Sequence, residues 1–210
     1  MSPRIRRESW TQWTIRLGAL LPLALLAWGW SQNALSADPI REATLRTGKV
    51  ALLLLVLSLA CSPAYHLSGL KSLLAARRSL GLYAFLYAGI HLAIFLWLDY
   101  GLDLELIREA LFEKRYALAG LATFLLLVPL AITSTRGWRR RLGRHWRSLH
   151  RLSYLAAMLA VLHYLWSVKA DQEQPLRYGA LLLLLLALRL PPARKALSRW
   201  RGTTFAIHLW

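Results

Sequence analysis

The sequence predicts an all-α fold, a bundle of six transmembrane helices with both termini in the cytoplasm. Three observations support this prediction. Of the 210 residues, 57% are hydrophobic and only 18% are charged, whereas about a quarter of the residues in a typical soluble domain are charged. The apolar residues form long blocks, as they do in membrane-spanning helices. The basic residues lie in short runs between these blocks, which is the pattern of membrane-protein loops.

Six apolar blocks follow one another along the chain, and each is interpreted as one helix. The blocks are residues 15–30, 50–64, 80–98, 116–133, 149–168 and 178–190. A span needs about 20 residues, so the second and sixth blocks are short. Their flanks can complete a span if the basic side chains reach the interface. No small-residue cleavage site follows the first block, so we expect it to be a retained helix rather than a signal peptide.

The charged residues predict the orientation of the bundle. Most of the 27 Lys and Arg residues fall on one side, near the two termini and in the loops around residues 71–78 and 136–151. Nearly all of the ten acidic residues fall in the other loops. The basic side is cytoplasmic by the positive-inside rule, and an even number of helices places both termini there. We expect residues 1–210 to form a single domain.

Composition also excludes several other classes of protein. The net charge of +17 could attract nucleic acid, but basic runs between apolar blocks favour membrane lipid as the partner and no nucleic acid. The single cysteine, Cys61, excludes an internal disulfide and a four-cysteine metal site. No glycine-rich dinucleotide motif follows a strand, so the chain is not expected to bind NAD(P)H in a domain of its own.

Two histidines lie well inside apolar blocks, where ionisable residues are costly and usually functional. His91 is on the third predicted helix and His163 is on the fifth. Both helices run outward, and the rise per residue of about 1.5 Å places the two imidazoles within roughly 3 Å of the same depth. Such a pair can hold heme iron from both faces. Paired imidazoles leave no open coordination position, which favours electron transfer over oxygen chemistry.

His150 is a third candidate ligand of heme iron. It precedes His163 on the fifth predicted helix by about 20 Å along the axis, a reasonable step between two redox centres. A straight helix would turn the two side chains about 220° apart, so the second centre would be displaced sideways. A membrane histidine can also simply hydrogen-bond a neighbouring helix. His66, His145 and His208 lie in basic surroundings and are interpreted as surface residues, with His66 and His145 kept as reserve ligands.

Several segments between the third and the fifth predicted helix resemble one known family. They are residues 80–85 (LGLYAF) with His91, 133–135 (TST), 141–154 (RLGRHWRSLHRLSY) and 163–169 (HYLWSVK). These segments are similar to the MsrQ family, also called YedZ, the membrane heme subunits of a bacterial methionine sulfoxide reductase system. The similarity extends over nearly the whole chain, and residues 146–169 are its most specific part.

The resemblance implies a ferric-reductase-like transmembrane domain in the bacterial inner (plasma) membrane. It implies that His91, His150 and His163 bind the iron of one or two b-type hemes. The chain would then be an electron-transfer subunit rather than the catalytic subunit. Its acceptor would be MsrP, a periplasmic molybdopterin subunit that reduces methionine sulfoxide in oxidised proteins. Its donor would be the quinone pool or a cytoplasmic flavin reductase, and the family is also associated with FMN.

One position departs from the wider superfamily, in which the third helix carries two histidines about fourteen residues apart. Here Arg77 stands fourteen residues before His91, so an inner heme lacks its usual partner on that helix. Two alternatives to the leading hypothesis stay open. One is a cytochrome b subunit of another quinol-linked dehydrogenase or a ferric reductase. The other, in a different class, is a transporter that uses the histidines as a proton relay.

Overall fold

The computed structural model describes residues 10–168 and 171–193, and these residues contain helices and no β-strand. The all-α prediction is therefore confirmed for this part of the chain. A π-helical segment, Ile94–Asp99, directly follows the α-helix that ends at Ala93. The α-helices are α1 (Trp10–Ser31), α2 (Pro39–Ser68), α3 (Lys71–Ala93), α4 (Leu104–Glu113), α5 (Arg115–Ile132), α6 (Arg136–Leu142), α7 (Arg144–Leu149), α8 (Leu152–Ser167) and α9 (Glu173–Ala187).

The six apolar blocks fall largely within six of these helices: α1, α2, α3 with its π-helical continuation, α5, α8 and α9. In the described part of the chain, four helices are long and apolar enough to cross a membrane. These are Gln12–Ser31 within α1, Pro39–Ser68, Lys71–Asp99 and Arg115–Ile132. Helices α8 and α9 have 16 and 15 residues, below the usual length of a span. The total of six spans and the cytoplasmic position of the termini stay predictions.

Helix α2 is much longer than its apolar block, with 30 residues. Asp38 caps its N-terminus by accepting a hydrogen bond from the Arg41 backbone N–H at 3.0 Å, and Pro39 occupies the first turn, where no amide is needed. Arg46 and Glu42 pair one turn apart. Polar residues therefore extend the helix beyond its hydrophobic block, so the second span is not short. At its other end Gly69 adopts φ 74°, which a glycine tolerates, and the chain turns directly into α3.

The fifth predicted helix begins later than expected. We expected His150 and His163 on one helix, but α7 ends at Leu149 and α8 starts at Leu152, which leaves His150 in the turn between them. The Tyr154 amide bonds to the Arg151 carbonyl instead of the His150 carbonyl. The Ser153 hydroxyl donates to the His150 carbonyl at 2.8 Å. The Ser153 amide also donates to this carbonyl, at 3.4 Å. Bonds to the third preceding residue thus stand in place of the usual α-helical bonds here, and the helix is interrupted.

The helices pack around a core in the middle of the bundle. Helix α2 packs most extensively against α3, and α5 against α8. Ala156 and Ala157 of α8 are fully buried, and such small residues let helices approach closely. The Tyr87 hydroxyl on α3 donates to the Ala19 carbonyl of α1 at 2.6 Å. This core separates two cavities, one toward each end of α3.

A short connection lies over one end of α3. It consists of the turn after the π-helical segment and the ten-residue helix α4. Lys114, which follows α4, donates from Nζ to the Tyr100 hydroxyl at 2.9 Å. This hydrogen bond raises the pKa of Lys114, so the ammonium stays charged and holds the end of α4 against the end of α3.

Candidate functional site: a histidine pair in an apolar cavity

The structure brings His91 and His163 together. The imidazole of His91 projects from α3 and that of His163 from α8, and their ring centroids are 5.9 Å apart with the ring planes at 84°. Neither histidine is exposed. Two residues that lie 72 positions apart in the sequence thus face each other inside the bundle.

Each of these imidazoles is anchored by a backbone carbonyl on a neighbouring helix. His91 Nδ1 lies 2.9 Å from the Thr44 carbonyl of α2. His163 Nδ1 lies 2.7 Å from the Tyr116 carbonyl of α5. A carbonyl oxygen can only accept, so both Nδ1 atoms must carry the proton. Each Nε2 then has a lone pair, which is the state that a metal ion requires.

A glycine lies beneath each imidazole. A Cβ atom at Gly48 would come within 3.1 Å of His91 Nδ1 and Cε1, and a Cβ atom at Gly120 within 2.8 Å of His163 Nδ1 and 2.9 Å of its Cε1. Gly48 is four residues after Thr44 on α2, and Gly120 is four residues after Tyr116 on α5. The same arrangement therefore occurs twice. A backbone carbonyl accepts a hydrogen bond from the ring, and the residue one turn later is a glycine, which has no side chain to clash with the ring.

The two histidines line a cavity of about 300 Å³. Its middle part is apolar, with alanines and leucines from α2, α3, α5 and α8. Polar side chains lie toward the end of the bundle that carries α4. The lining residues that characterise the two parts are Ala84, Ala88, Leu52, Leu55, Leu127 and Ala160 in the middle, and Thr44, Lys49, Asp99, Tyr116 and Ser167 toward the end. Such a mixture of apolar walls and few polar groups is typical of a cofactor site.

The donor set restricts the group that this pair could hold. In the described part of the chain, no three His, Cys, Asp or Glu side chains are close enough to hold a metal ion together. A protein-only zinc site needs at least three such ligands. Heme iron already has four nitrogen ligands from the porphyrin, so the protein needs to supply only the remaining ligands. Two imidazoles in an apolar cavity fit heme better than they fit a bare cation.

His150 has different surroundings. Its Nε2 lies 3.1 Å from the Thr133 hydroxyl at the end of α5, and its ring stacks on Trp146 with centroids 4.0 Å apart. Trp146 Nε1 in turn donates to the Thr133 carbonyl at 3.0 Å. The three residues form a cluster that joins α5 to the α7–α8 turn. The structure therefore places His150 outside the pair formed by the other two candidates.

The remaining histidines divide between the surface and a second cavity. His145 is exposed, in agreement with its interpretation as a surface residue. His66 lines a cavity together with Arg77, and His208 lies outside the described residues.

Sequence reasoning missed Gly48, Gly120 and the two anchoring carbonyls. The available signal was a glycine inside an apolar block, Gly120, and another just before one, Gly48, whereas a backbone carbonyl has no signature in sequence.

Comparison with known proteins shows the family to which the sequence belongs. Residues 47–161 match the family described as ferric reductase like transmembrane component. Proteins from Xanthomonas campestris pv. campestris (strain 8004) and Xanthomonas axonopodis pv. citri (strain 306) are 47% and 46% identical to the chain over 181 residues, which is 83% of each chain. Both are named protein-methionine-sulfoxide reductase heme-binding subunit MsrQ. The chain belongs to the MsrQ family.

Membership of the MsrQ family agrees with the several apolar helices described above, and the chain is a membrane protein. A further MsrQ relative, from Xanthomonas oryzae pv. oryzae (strain MAFF 311018), is 45% identical over the same share of both chains. No solved structure matches the chain. The residues matched to the ferric-reductase-like family include His91 and His150, and His163 follows two residues after the end of that match.

Proposed function

We propose that this protein carries electrons across the bacterial inner membrane through b-type heme bound between His91 and His163. The observation that carries the proposal is the facing pair of imidazoles, each with Nδ1 bound to a carbonyl. A bond from a metal ion to an imidazole nitrogen is about 2 Å long, as in zinc sites. Two imidazoles that bind one metal ion from opposite sides therefore have their ring centres roughly 6 Å apart. The separation of 5.9 Å agrees with this requirement.

Heme would supply reversible one-electron chemistry, and the protein residues would determine how it is used. His91 and His163 would hold the heme, which would then supply electron transfer rather than oxygen chemistry. Hydrogen bonds to the Thr44 and Tyr116 carbonyls make the two imidazoles more basic. More basic ligands stabilise the oxidised metal and lower its reduction potential, which suits an electron donor. The apolar wall of the cavity keeps water from the site.

The orientation proposed from the basic loops places this site toward the outer face. An electron delivered there can leave toward the periplasm. The relatives are named as subunits of a protein-methionine-sulfoxide reductase, which supports a catalytic subunit of that system as the acceptor. We propose the periplasmic molybdopterin subunit MsrP in this role. The present chain would then be the electron-transfer subunit, and repair of oxidised periplasmic proteins would be the outcome.

Electrons must enter from the opposite side, and His150 is the proposed ligand of a second, inner heme. In its present position Nε2 is hydrogen-bonded to Thr133, so iron binding there requires either a rotation of the ring or coordination through Nδ1. We propose quinol or a cytoplasmic flavin reductase as the donor, with FMN as a carrier between them.

An absorption spectrum of the purified full-length protein tests the central proposal. Protein from heme-replete cells should show the reduced bands of b-type heme, and pyridine hemochrome should give one or two hemes per chain. His91→Ala and His163→Ala should each lose most of one heme signal, whereas the exposed control His145→Ala should keep the normal spectrum. A colourless wild-type preparation would exclude heme binding and leave the transporter alternative.

A second measurement separates the inner site from the outer one. His150→Ala should keep the outer heme but slow its reduction by a flavin reductase added at the cytoplasmic face of inverted vesicles. Unchanged reduction in this variant would remove His150 from the electron path without affecting the proposal for the outer pair.

A further inference from the structure

Lys49 lies beside the histidine pair, and the site described above gives it no role. It directly follows Gly48, the α2 residue that lies against the His91 ring. One residue of helix rises by about 1.5 Å, so Lys49 is at nearly the same depth as that ring. Lys49 lines the cavity of about 300 Å³ that contains the pair. Among the described residues, it is the only lysine or arginine in this lining, and Asp99 is the only carboxylate.

No carboxylate in the described part of the chain neutralises the ammonium group of Lys49. The residue lies within α2, a helix long and apolar enough to cross a membrane, and its side chain is exposed. The neighbouring Arg46 pairs with Glu42 on the same helix, whereas no described carboxylate lies within ion-pair distance of Lys49. A cation within a span is costly without a partner and usually marks a functional site.

Three hydroxyl groups of the cavity lining already donate to other acceptors. The Thr44 hydroxyl donates to a carbonyl of its own helix at 2.8 Å, and the Ser167 hydroxyl donates to the Tyr164 carbonyl at 2.8 Å. The Tyr164 hydroxyl donates to the Gln174 side chain at 2.9 Å. A hydroxyl has one proton, whereas an ammonium has three donors. Lys49 is therefore the donor best suited to bind an anion in this cavity.

We propose that Lys49 binds a propionate of the heme held between His91 and His163, an inference that rests on the proposed function. Heme carries two propionates at one edge of the porphyrin. The apolar middle part of the cavity is unfavourable for these carboxylates, so they lie toward the polar end, where Lys49 is located. An ammonium and a carboxylate form a short, charge-assisted hydrogen bond. Lys49 is thus a positioning residue that fixes which edge of the porphyrin points toward that end.

The contact also affects the reduction potential of the heme. Reduction adds one electron and makes the site more negative. An ammonium beside a propionate offsets part of this charge, so it stabilises the reduced form. Loss of the Lys49 charge should therefore weaken heme binding and lower the midpoint potential together, whereas loss of a purely structural contact has no reason to shift the potential in this direction.

Heme retention and the midpoint potential of the purified, heme-loaded full-length protein test this proposal. Parent and variants all carry His150→Ala, so that only the outer heme is measured. Lys49→Gln should transfer its heme to excess apomyoglobin about tenfold faster than the parent, since a charged hydrogen bond is lost, and its midpoint potential should be lower. Lys49→Arg keeps the charge and should be close to the parent in both measurements. Arg41→Gln is the matched control, because Arg41 is exposed on α2 and does not line the cavity.

The outcomes separate this proposal from the proposed function. If the parent contains heme and Lys49→Gln matches Arg41→Gln in both measurements, Lys49 does not bind a propionate, as expected of a lysine that contacts only lipid headgroups, and the heme site itself stands. A lower potential with unchanged heme transfer would make Lys49 a distant charge and also contradict the contact. Faster transfer without a shift in potential would indicate a structural effect and overturn the proposal as well. A parent without heme would instead refute the proposed function.

Discussion

At the scale of single residues, the histidine pair depends on groups that are not themselves ligands. Gly48 and Gly120 leave room for the rings, and the carbonyls of Thr44 and Tyr116 hold them. His91 and His163 could be predicted from sequence because an imidazole in an apolar block is unusual. The glycines could not be assigned a role, since many helical glycines in membrane proteins serve only close packing.

The tighter of the two glycine contacts provides a prediction. Gly120→Ala places a methyl group 2.8 Å from His163 Nδ1, so the ring must move and its hydrogen bond to Tyr116 must lengthen. Overpacking of this kind costs about 1–3 kcal/mol. We expect a lower heme content and a changed heme spectrum, measured by pyridine hemochrome and absorption. Gly89→Ala is the control, because its nearest contact is an ordinary 3.8 Å to Phe124; equal behaviour of the two variants would contradict the role given to Gly120.

The angle between the two rings provides another prediction. Imidazole planes at 84° interact with different iron orbitals and leave them nearly equal in energy. Oxidised low-spin heme between such ligands should give a highly anisotropic electron paramagnetic resonance signal with a large maximum g value. Parallel rings would instead give a rhombic spectrum. Spectra of the wild type and of His150→Ala would assign the signal to the outer site, and a rhombic signal there would mean that the rings rotate when they bind iron.

At the scale of elements, the connection from α5 to α8 determines where His150 lies. The sequence pattern predicted one continuous helix because most of residues 149–168 are apolar. The cluster of Thr133, Trp146 and His150 ties the turn to the end of α5 instead. Here contacts between residues that are distant along the chain outweigh the local preference for helix. The periodicity of apolar residues in the sequence cannot reveal such contacts.

Removal of the Thr133 hydroxyl tests whether this cluster stabilises the connection. Thr133→Val removes the contact with His150 Nε2 and also the hydrogen bond that the hydroxyl donates to the Pro129 carbonyl at 2.6 Å. It should destabilise the protein by about 2 kcal/mol, since one hydrogen bond has a net contribution of about 1 kcal/mol. The readout is a lower midpoint of thermal unfolding. Ser134→Ala serves as the comparison, because within the described part of the chain the Ser134 hydroxyl bonds to the Leu130 carbonyl of its own helix and to no other residue. If both variants unfold at the same temperature, the contact between His150 and Thr133 contributes little to stability.

At the scale of the whole molecule, two cavities lie toward opposite ends of the bundle. The histidine pair lines one, and two arginines line the other. Acidic residues concentrate around α4, beside the first cavity, whereas basic residues form α6 and α7. This polarity agrees with a protein that faces two different compartments.

Labelling of single cysteines tests the proposed orientation. Glu109→Cys on α4 should react with a membrane-impermeant maleimide in intact spheroplasts, because the positive-inside rule places α4 outside. Arg139→Cys on α6 should react only after the cells are opened. The buried Cys61 should stay unlabelled in both. Labelling of Arg139→Cys in intact spheroplasts would reverse the orientation and place the histidine pair near the cytoplasm.

The sequence by itself determined the helical class, the positions of the apolar blocks and two of the three candidate histidines as a matched pair. These features follow from local composition, because a bilayer requires long apolar helices and makes a buried imidazole costly. Tertiary structure alone decided that His91 and His163 face each other, that carbonyls of α2 and α5 orient them, and that Arg77 and Arg189 meet in one cavity. Those arrangements depend on how the helices rotate and pack against one another, and no pattern within a single helix specifies this.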